Sequence, residues 1–172
     1  MTTKAGFEKT GSIAPMFDGD AQLLTFRLDD QEYALDIANV VQVVRMVAIT
    51  QVPKVPEVVA GVINLRGRVI PVINLRKRCG LPAKPYGLND QLLIAKTDGR
   101  MMGLIVDVVS EVLTMPSGSL DFASEIGGRS IEYLSAVGKM DDRLLLILDP
   151  NMILTLQDQV HLEALLADGQ LA

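Results

Sequence analysis

The sequence predicts a mainly β protein built as two small barrels packed together. Two observations carry this. The apolar stretches are short, rich in Val, Ile and Leu, and cut by turn residues, and the pattern turns helical only from Thr155. The chain also repeats itself. At an offset of 69, residues 22–44 align with 91–113 without a gap, through Gln22/Gln91, Leu23/Leu92, Leu24/Leu93, Asp29/Asp98, Leu35/Leu104, Val40/Val109 and Val43/Val112. The run from Arg143 to Asp149 echoes that from Arg68 to Asn74. Each half therefore reads as a hairpin, a crossover and a strand pair. Two copies are too few for a solenoid. Two barrels that are each too small to bury much alone bury their apolar surface by docking.

The elements follow in order. Leu23 to Leu28 reads as a strand, Asp29-Asp30 as a turn, and Glu32 to Asp36 as the returning strand. Ile37, Val40, Val41 and Val44 have helical spacing, while the stretch from Val40 to Val47 is valine-rich; a short helical turn running into a strand satisfies both. Pro53 and Pro56 break the chain, and residues 57–60 are expected to form one helical turn ended by Gly61. Val62 to Leu65 is a strand, Arg66-Gly67-Arg68 a turn, and Val69 to Ile73 the next strand. Pro71 cannot donate to a ladder, so an edge, bulge or register break is expected there. Asn74 suits the N-cap of a short helix that ends at Cys79. The composition of 80–90 is that of a linker, and 116–130 is a loop rich in Ser and Gly. Residues 1–19 read as a flexible lead-in, and a C-terminal helix is expected over 155–172, to be docked on a barrel. The first barrel is expected over roughly 20–85 and the second over roughly 88–150.

Composition narrows the function. One cysteine, Cys79, and one histidine, His161, exclude an internal disulfide framework and a Cys/His zinc site. The net charge of −5 with no Trp argues against a general nucleic-acid binder. No apolar run reaches the roughly 18 residues that span a membrane, and the first twenty residues lack a secretory apolar core, so a cytoplasmic protein is expected. His161 reads as a partly exposed helix residue. Cys79 follows Lys77 and Arg78, which would lower its pKa, but a small half-buried filler is the simpler reading. No phosphate-cradling glycine motif is present, and Asp36 and Asp107 have no partner acid for hydrolysis. No cofactor is called for.

What remains is surface for a partner. The cations Arg66, Arg68, Arg76, Lys77 and Arg78 cluster along the sequence, and Arg66 is held at a strand end beside a glycine. Arginine's fixed fork of donors is over-represented where proteins grip one another. Hydrophobic residues make up 49% and mean hydropathy is +0.30, more than a small double barrel hides. The valines at 40, 41, 43 and 44 cover more than one face, so some apolar surface is expected to meet a partner. A nucleic-acid-binding double barrel that uses the same cations, and a small-molecule enzyme or sensor, are the readings of other classes.

The stretch Gln31–Ile37, then Val52-Pro53, Pro56 and the continuous run Gly61–Arg76, resembles the CheW family of bacterial chemotaxis adaptors, as does Gly103–Val112 in the second half. The likeness covers about residues 20–155. It implies two intertwined five-stranded SH3-like β-barrels with chain exchange between them, short connecting helices and a C-terminal helix. It implies a scaffold without catalysis, recruited from the cytoplasm to membrane-associated receptor arrays. There it would couple methyl-accepting chemoreceptors to a CheA-type histidine kinase, binding the kinase's regulatory domain and the cytoplasmic tip of the receptor coiled coil. The residues matching the receptor-contact region are Val40, Gln42, Val43, Gly61 and Arg66, with Arg68, Arg76, Lys77 and Arg78 as a partner-facing basic rim. Gln42 and Asn74 depart from the acids common in the family. This points also to a dedicated pathway of surface sensing or twitching.

Overall fold

A computed structural model describes residues 19–122 and 131–167. Nearly all of the lead-in, residues 123–130 of the Ser/Gly loop, and residues 168–172 of the expected C-terminal helix lie outside the described residues. The strands are β1 (Ala21–Leu28), β2 (Gln31–Asp36), β3 (Val40–Arg45), β4 (Val59–Leu65) and β5 (Arg68–Ile73) in the first half. The second half holds β6 (Gln91–Lys96), β7 (Met101–Val106), β8 (Val108–Met115), β9 (Leu120–Phe122), β10 (Leu134–Met140) and β11 (Arg143–Leu148). Helix α1 (Leu75–Arg78) follows β5, and α2 (Leu156–Ala167) follows β11. Residues 57–58 form a turn rather than the expected helical turn, and β4 already begins at Val59. Val59 pairs with Ile73, so ladder formation by a β-branched residue wins over the proline's helical signal.

The fold is two SH3-like sheets that have traded hairpins. One sheet runs β8-β1-β2-β11-β10-β9 and the other β3-β6-β7-β5-β4. Hairpin β1–β2 thus joins strands that lie after residue 107, and hairpin β6–β7 joins β3, β4 and β5. The first sheet carries one strand more than the five expected, the short β9. In each sheet the hairpin meets the strand pair through a parallel contact, β2 with β11 and β5 with β7. Pro71 sits just outside the parallel ladder, which starts at Val72, so no donor is missed on that side.

Each barrel has its own apolar core, and a third lies between them. Leu23, Ala34, Met115, Ala136 and Ile147 fill the first, and Ile63, Ile70, Val72, Leu92 and Ile94 the second. The shared core takes Leu24, Phe26 and Leu35 from one sheet and Val59, Ile73, Leu93 and Leu104 from the other. Alternation along each strand does this. Leu23 and Leu92 point into their own barrels, while Leu24 and Leu93, one residue on, point into the shared core. The repeated pairs therefore occupy equivalent places. Phe26 is fully buried against Tyr33, and truncating such a ring costs about 3–5 kcal/mol.

The second barrel closes where the chain beyond β3 returns to β4: Thr50 and Val62 exchange both backbone hydrogen bonds at 2.9 Å. Gly61 lies at this seam. The first barrel closes through β9 on β10, where Gly138 lies against Met115 and Leu120.

Candidate functional site

Strand β3 is an edge of its sheet, and its side chains alternate. Val41, Val43 and Arg45 face outward and Val47 continues the exposed row, with Val43 at 36% exposure and Val47 at 48%. Val40, Gln42 and Val44 are half-buried. Val40 packs against the shared core. It is therefore not part of the exposed row, because a register shift between Val40 and Gln42 and the two-residue period turn it inward. Of the expected contact residues on this strand, Val43 is presented, Gln42 is partly presented and Val40 supports them from beneath. Val41, one of the four valines expected to supply apolar surface, and Val47, which had not been singled out, complete the row; period-two alternation is the signal that marks them.

The other sheet offers a matching edge. On β8, Val108 and Val112 are exposed at 44% and 56%, while Val109 turns into the shared core as Val40 does. Val112 is the repeat partner of Val43, so the repeat itself pointed to this second patch. The start of β8 is tied to β6 by Gln91, whose side-chain oxygen accepts from the Val109 N–H at 2.7 Å.

Arg66 and Gly67 form the two-residue turn between β4 and β5, with φ of +54° and +83°. Both lie in the left-handed region, as a type I′ hairpin turn requires. An arginine there costs about 1 kcal/mol relative to ordinary backbone. The Asn64 side chain helps to hold the turn, accepting from the Gly67 N–H at 2.8 Å. The result is an exposed Arg66 and an exposed Arg68 on a rigid frame.

Three expected contact residues do other work. Gly61 is buried against this chain's own Ile49 and Thr50. A Cβ there would come within 2.7 Å of Ile49 Cγ2 and still closer to the Thr50 carbonyl oxygen. The backbone that approaches Gly61 belongs to this chain. Arg76 is buried at 7% exposure and not on a rim. Its guanidinium donates to Asp29 at 2.9 and 3.0 Å and to Asp107 at 2.8 and 2.9 Å. Arg78 is likewise turned inward. It donates to the Ile153 carbonyl and, at 3.1 Å, to the Met152 carbonyl, and its guanidinium lies 4.9 Å from the Tyr133 ring centre. Of the five clustered cations only Arg66, Arg68 and Lys77 remain exposed, so the cluster is not one basic patch.

The remaining chemistry is structural. Burial pushes the Cys79 thiol up despite the nearby Arg78, which fits a filler rather than a reactive thiolate. Burial, with Cys79 alongside, pushes the Tyr33 phenol up to about 12. Asp36 accepts from the Ala38 N–H at 2.8 Å and caps the short helical turn before β3. His161 is exposed on α2. No group of His, Cys, Asp or Glu that could hold a metal occurs among the described residues. No described helix is long and apolar enough to cross a membrane.

A hairpin-exchanged double barrel with two exposed valine edges and a stiff arginine turn is the build of a protein-binding scaffold. The family model of the CheW-like domain matches residues 22–158. A probable chemotaxis protein CheW of Rhizobium etli is 32% identical over 160 residues, 92% of this chain and 96% of that protein. The chemotaxis protein CheW of Thermotoga maritima is 35% identical over 133 residues, 77% of this chain and 87% of that one. The crystal structure of the scaffolding protein TtCheW from Thermoanaerobacter tengcongensis superposes with a TM-score of 0.74 at 32% identity, covering 81% of this chain and 95% of that one. The chain belongs to the CheW-like family of chemotaxis scaffold proteins.

Proposed function

We propose that this chain is a non-catalytic adaptor, working in the cytoplasm at receptor arrays. It couples the cytoplasmic tip of a chemoreceptor coiled coil to the regulatory domain of a CheA-type histidine kinase. The observation that carries this reading is the exposed row Val41, Val43 and Val47 on an edge strand of the barrel that also presents Arg66 in a stiff turn. A helical tip fits such a row through its apolar positions, with arginine at the rim setting orientation. Binding receptor and kinase together raises the effective concentration of each for the other.

The test is direct titration of a purified receptor-tip fragment and of a kinase regulatory domain. Val43→Lys, a change on an exposed face, should weaken tip binding at least tenfold and leave kinase-domain binding and the melting temperature in place. Unaltered tip binding by Val43→Lys and by Arg66→Ala would remove this surface from the reading.

A second reading concerns the pathway. The neutral Gln42 on β3, where the family commonly has an acid, is the ground for the alternative of a surface-sensing or twitching pathway. Receptor tips from the two kinds of pathway, titrated in parallel, separate these.

A further inference from the structure

The exchanged hairpins are each pinned by an ion pair that crosses between the barrels, and the two pins are unequal. Hairpin β1–β2 lies in the first sheet, and its turn residue Asp29 is gripped by Arg76 of α1, which leaves the second sheet after β5. Hairpin β6–β7 lies in the second sheet, and Arg100 in its turn is gripped by Glu163 of α2, which leaves the first sheet after β11. The polarity is reversed: the first hairpin carries the acid and the second the arginine.

The first joint is built on a buried arginine: the Arg76 side chain is 8% exposed, and its partners Asp29 and Asp107 are 45% and 22% exposed. Arg76 also holds Asp107, on the link from β7 to β8, and Asp107 in turn accepts from the Asp29 N–H at 2.8 Å. The same short helix places Arg78 on the carbonyls of Met152 and Ile153. The second joint has one ion pair, at 2.6 Å; its Arg100 side chain is largely covered, at 14% exposure, and its Glu163 side chain is 67% exposed. Within 156–166 of α2, Leu162 and Leu165 are buried and Leu166 partly so, while Leu156 and Val160 are exposed.

We propose that α2 is a releasable strap across the shared core, and that α1 is the fixed joint about which the barrels keep their relation. A multiply hydrogen-bonded buried arginine does not open without leaving charge unpaired in the interior. A single pair whose carboxylate lies mostly in water opens more readily, because the freed acid is solvated, and it is screened by salt. Release of α2 would uncover the part of the shared core under Leu162, including Ile153 and Leu154, without separating the sheets.

Hydrogen exchange of the whole protein, followed by peptide mass, tests this. Glu163→Gln should speed exchange in 156–167 and 97–101 by about two- to fivefold and leave 75–79 and 27–31 at wild-type protection. Raising salt to roughly 0.5 M should do the same in the wild type and add little in Glu163→Gln. The double swap Arg100→Glu with Glu163→Arg should restore protection of α2. In Glu163→Gln, exchange that rises equally around α1, that stays at the wild-type rate in 156–167, or that the swap fails to restore would overturn the proposal. Asp29→Asn supplies the opposite arm. It should raise exchange on both sheets together, and a rise confined to residues 28–31 would equally overturn the fixed-joint assignment.

Discussion

Gly61 sits with its α-carbon against the carbonyl of Thr50, in a space that admits no side chain. Its φ of +153° adds a backbone conformation that other residues rarely adopt. The Thr50–Val62 pair that closes the barrel is one residue away. Gly61→Ala should therefore lose roughly 2 kcal/mol or more in urea unfolding, because backbone rather than a flexible side-chain end must move. At Gly67 the space is open, so Gly67→Asn, a residue that accepts the left-handed turn, should stay within about 1 kcal/mol of wild type. Equal midpoints for Gly61→Ala and wild type would show that the seam yields. A partner-binding defect in any Gly61 variant should appear together with this loss of stability.

The two copies of Val-Ile-Asn-Leu-Arg make a paired experiment. Their asparagines act alike: Asn64 accepts from the Gly67 N–H at 2.8 Å and Asn74 from the Lys77 N–H at 3.3 Å. Their arginines do not, since Arg66 is exposed and Arg76 is buried between Asp29 and Asp107. Arg66→Ala should change unfolding stability by less than about 0.5 kcal/mol. Arg76→Ala should cost roughly 2 kcal/mol, below the range for fully buried pairs because the carboxylates keep some contact with water. Calorimetric melting of the two variants side by side checks this, and the reverse order would refute the assignment of clamp and surface residue.

Asn74→Asp tests the other departure from the family's acid. Asp and Asn cap helices about equally, so melting should move little, whereas Asn74→Ala should cost about 1 kcal/mol. A large gain from Asp would mean that position 74 does more than cap α1.

Much of this architecture was legible from local rules. The β1–β2 hairpin, the Arg66-Gly67 turn, the Asn74 cap and the helix from residue 156 follow from alternation and turn chemistry. The repeat aligned Leu23 with Leu92 and Leu24 with Leu93, and each pair lies at equivalent places in the cores. Sequence spacing could not say that Arg76 and Arg78 turn inward, because their partners lie 31 to 75 residues away, at Asp29, Asp107, Met152 and Ile153. Gly61 misled for a similar reason. A glycine records that something comes close, but not whether that is the chain itself or a visitor. Val40 was named with Gln42 and Val43 from the resemblance alone, and the register shift after it, which turns it to the shared core, is invisible in spacing.

Gln42 is neutral and half-buried on β3, opposite Ile94. Gln42→Glu would add a charge at the foot of the valine row. A receptor tip bearing an arginine should then associate faster at low salt, with the gain fading as salt rises. Surface plasmon resonance at two ionic strengths reads this. An association rate that does not respond to salt in the variant would place Gln42 outside the contact.

Acid should weaken this protein through two bidentate ion pairs. The Arg76 guanidinium holds the Asp29 carboxyl below its ordinary value of 3.8, and Arg143 holds Glu32 below 4.5. Carboxylates with depressed native pKa values bind protons more readily in the unfolded chain. Their contribution is thus complete above the ordinary values and is lost as pH falls through the depressed ones. Stability should be level with respect to these groups above about pH 5 and should drop from about pH 4 downward. Glu32→Gln removes one of the two groups, so its stability should fall less steeply with acid than that of the wild type, although it starts lower at neutral pH. Chemical denaturation at intervals between pH 6 and pH 2.5 measures both slopes, and parallel curves for the two proteins would exclude Glu32 as a source of the acid sensitivity.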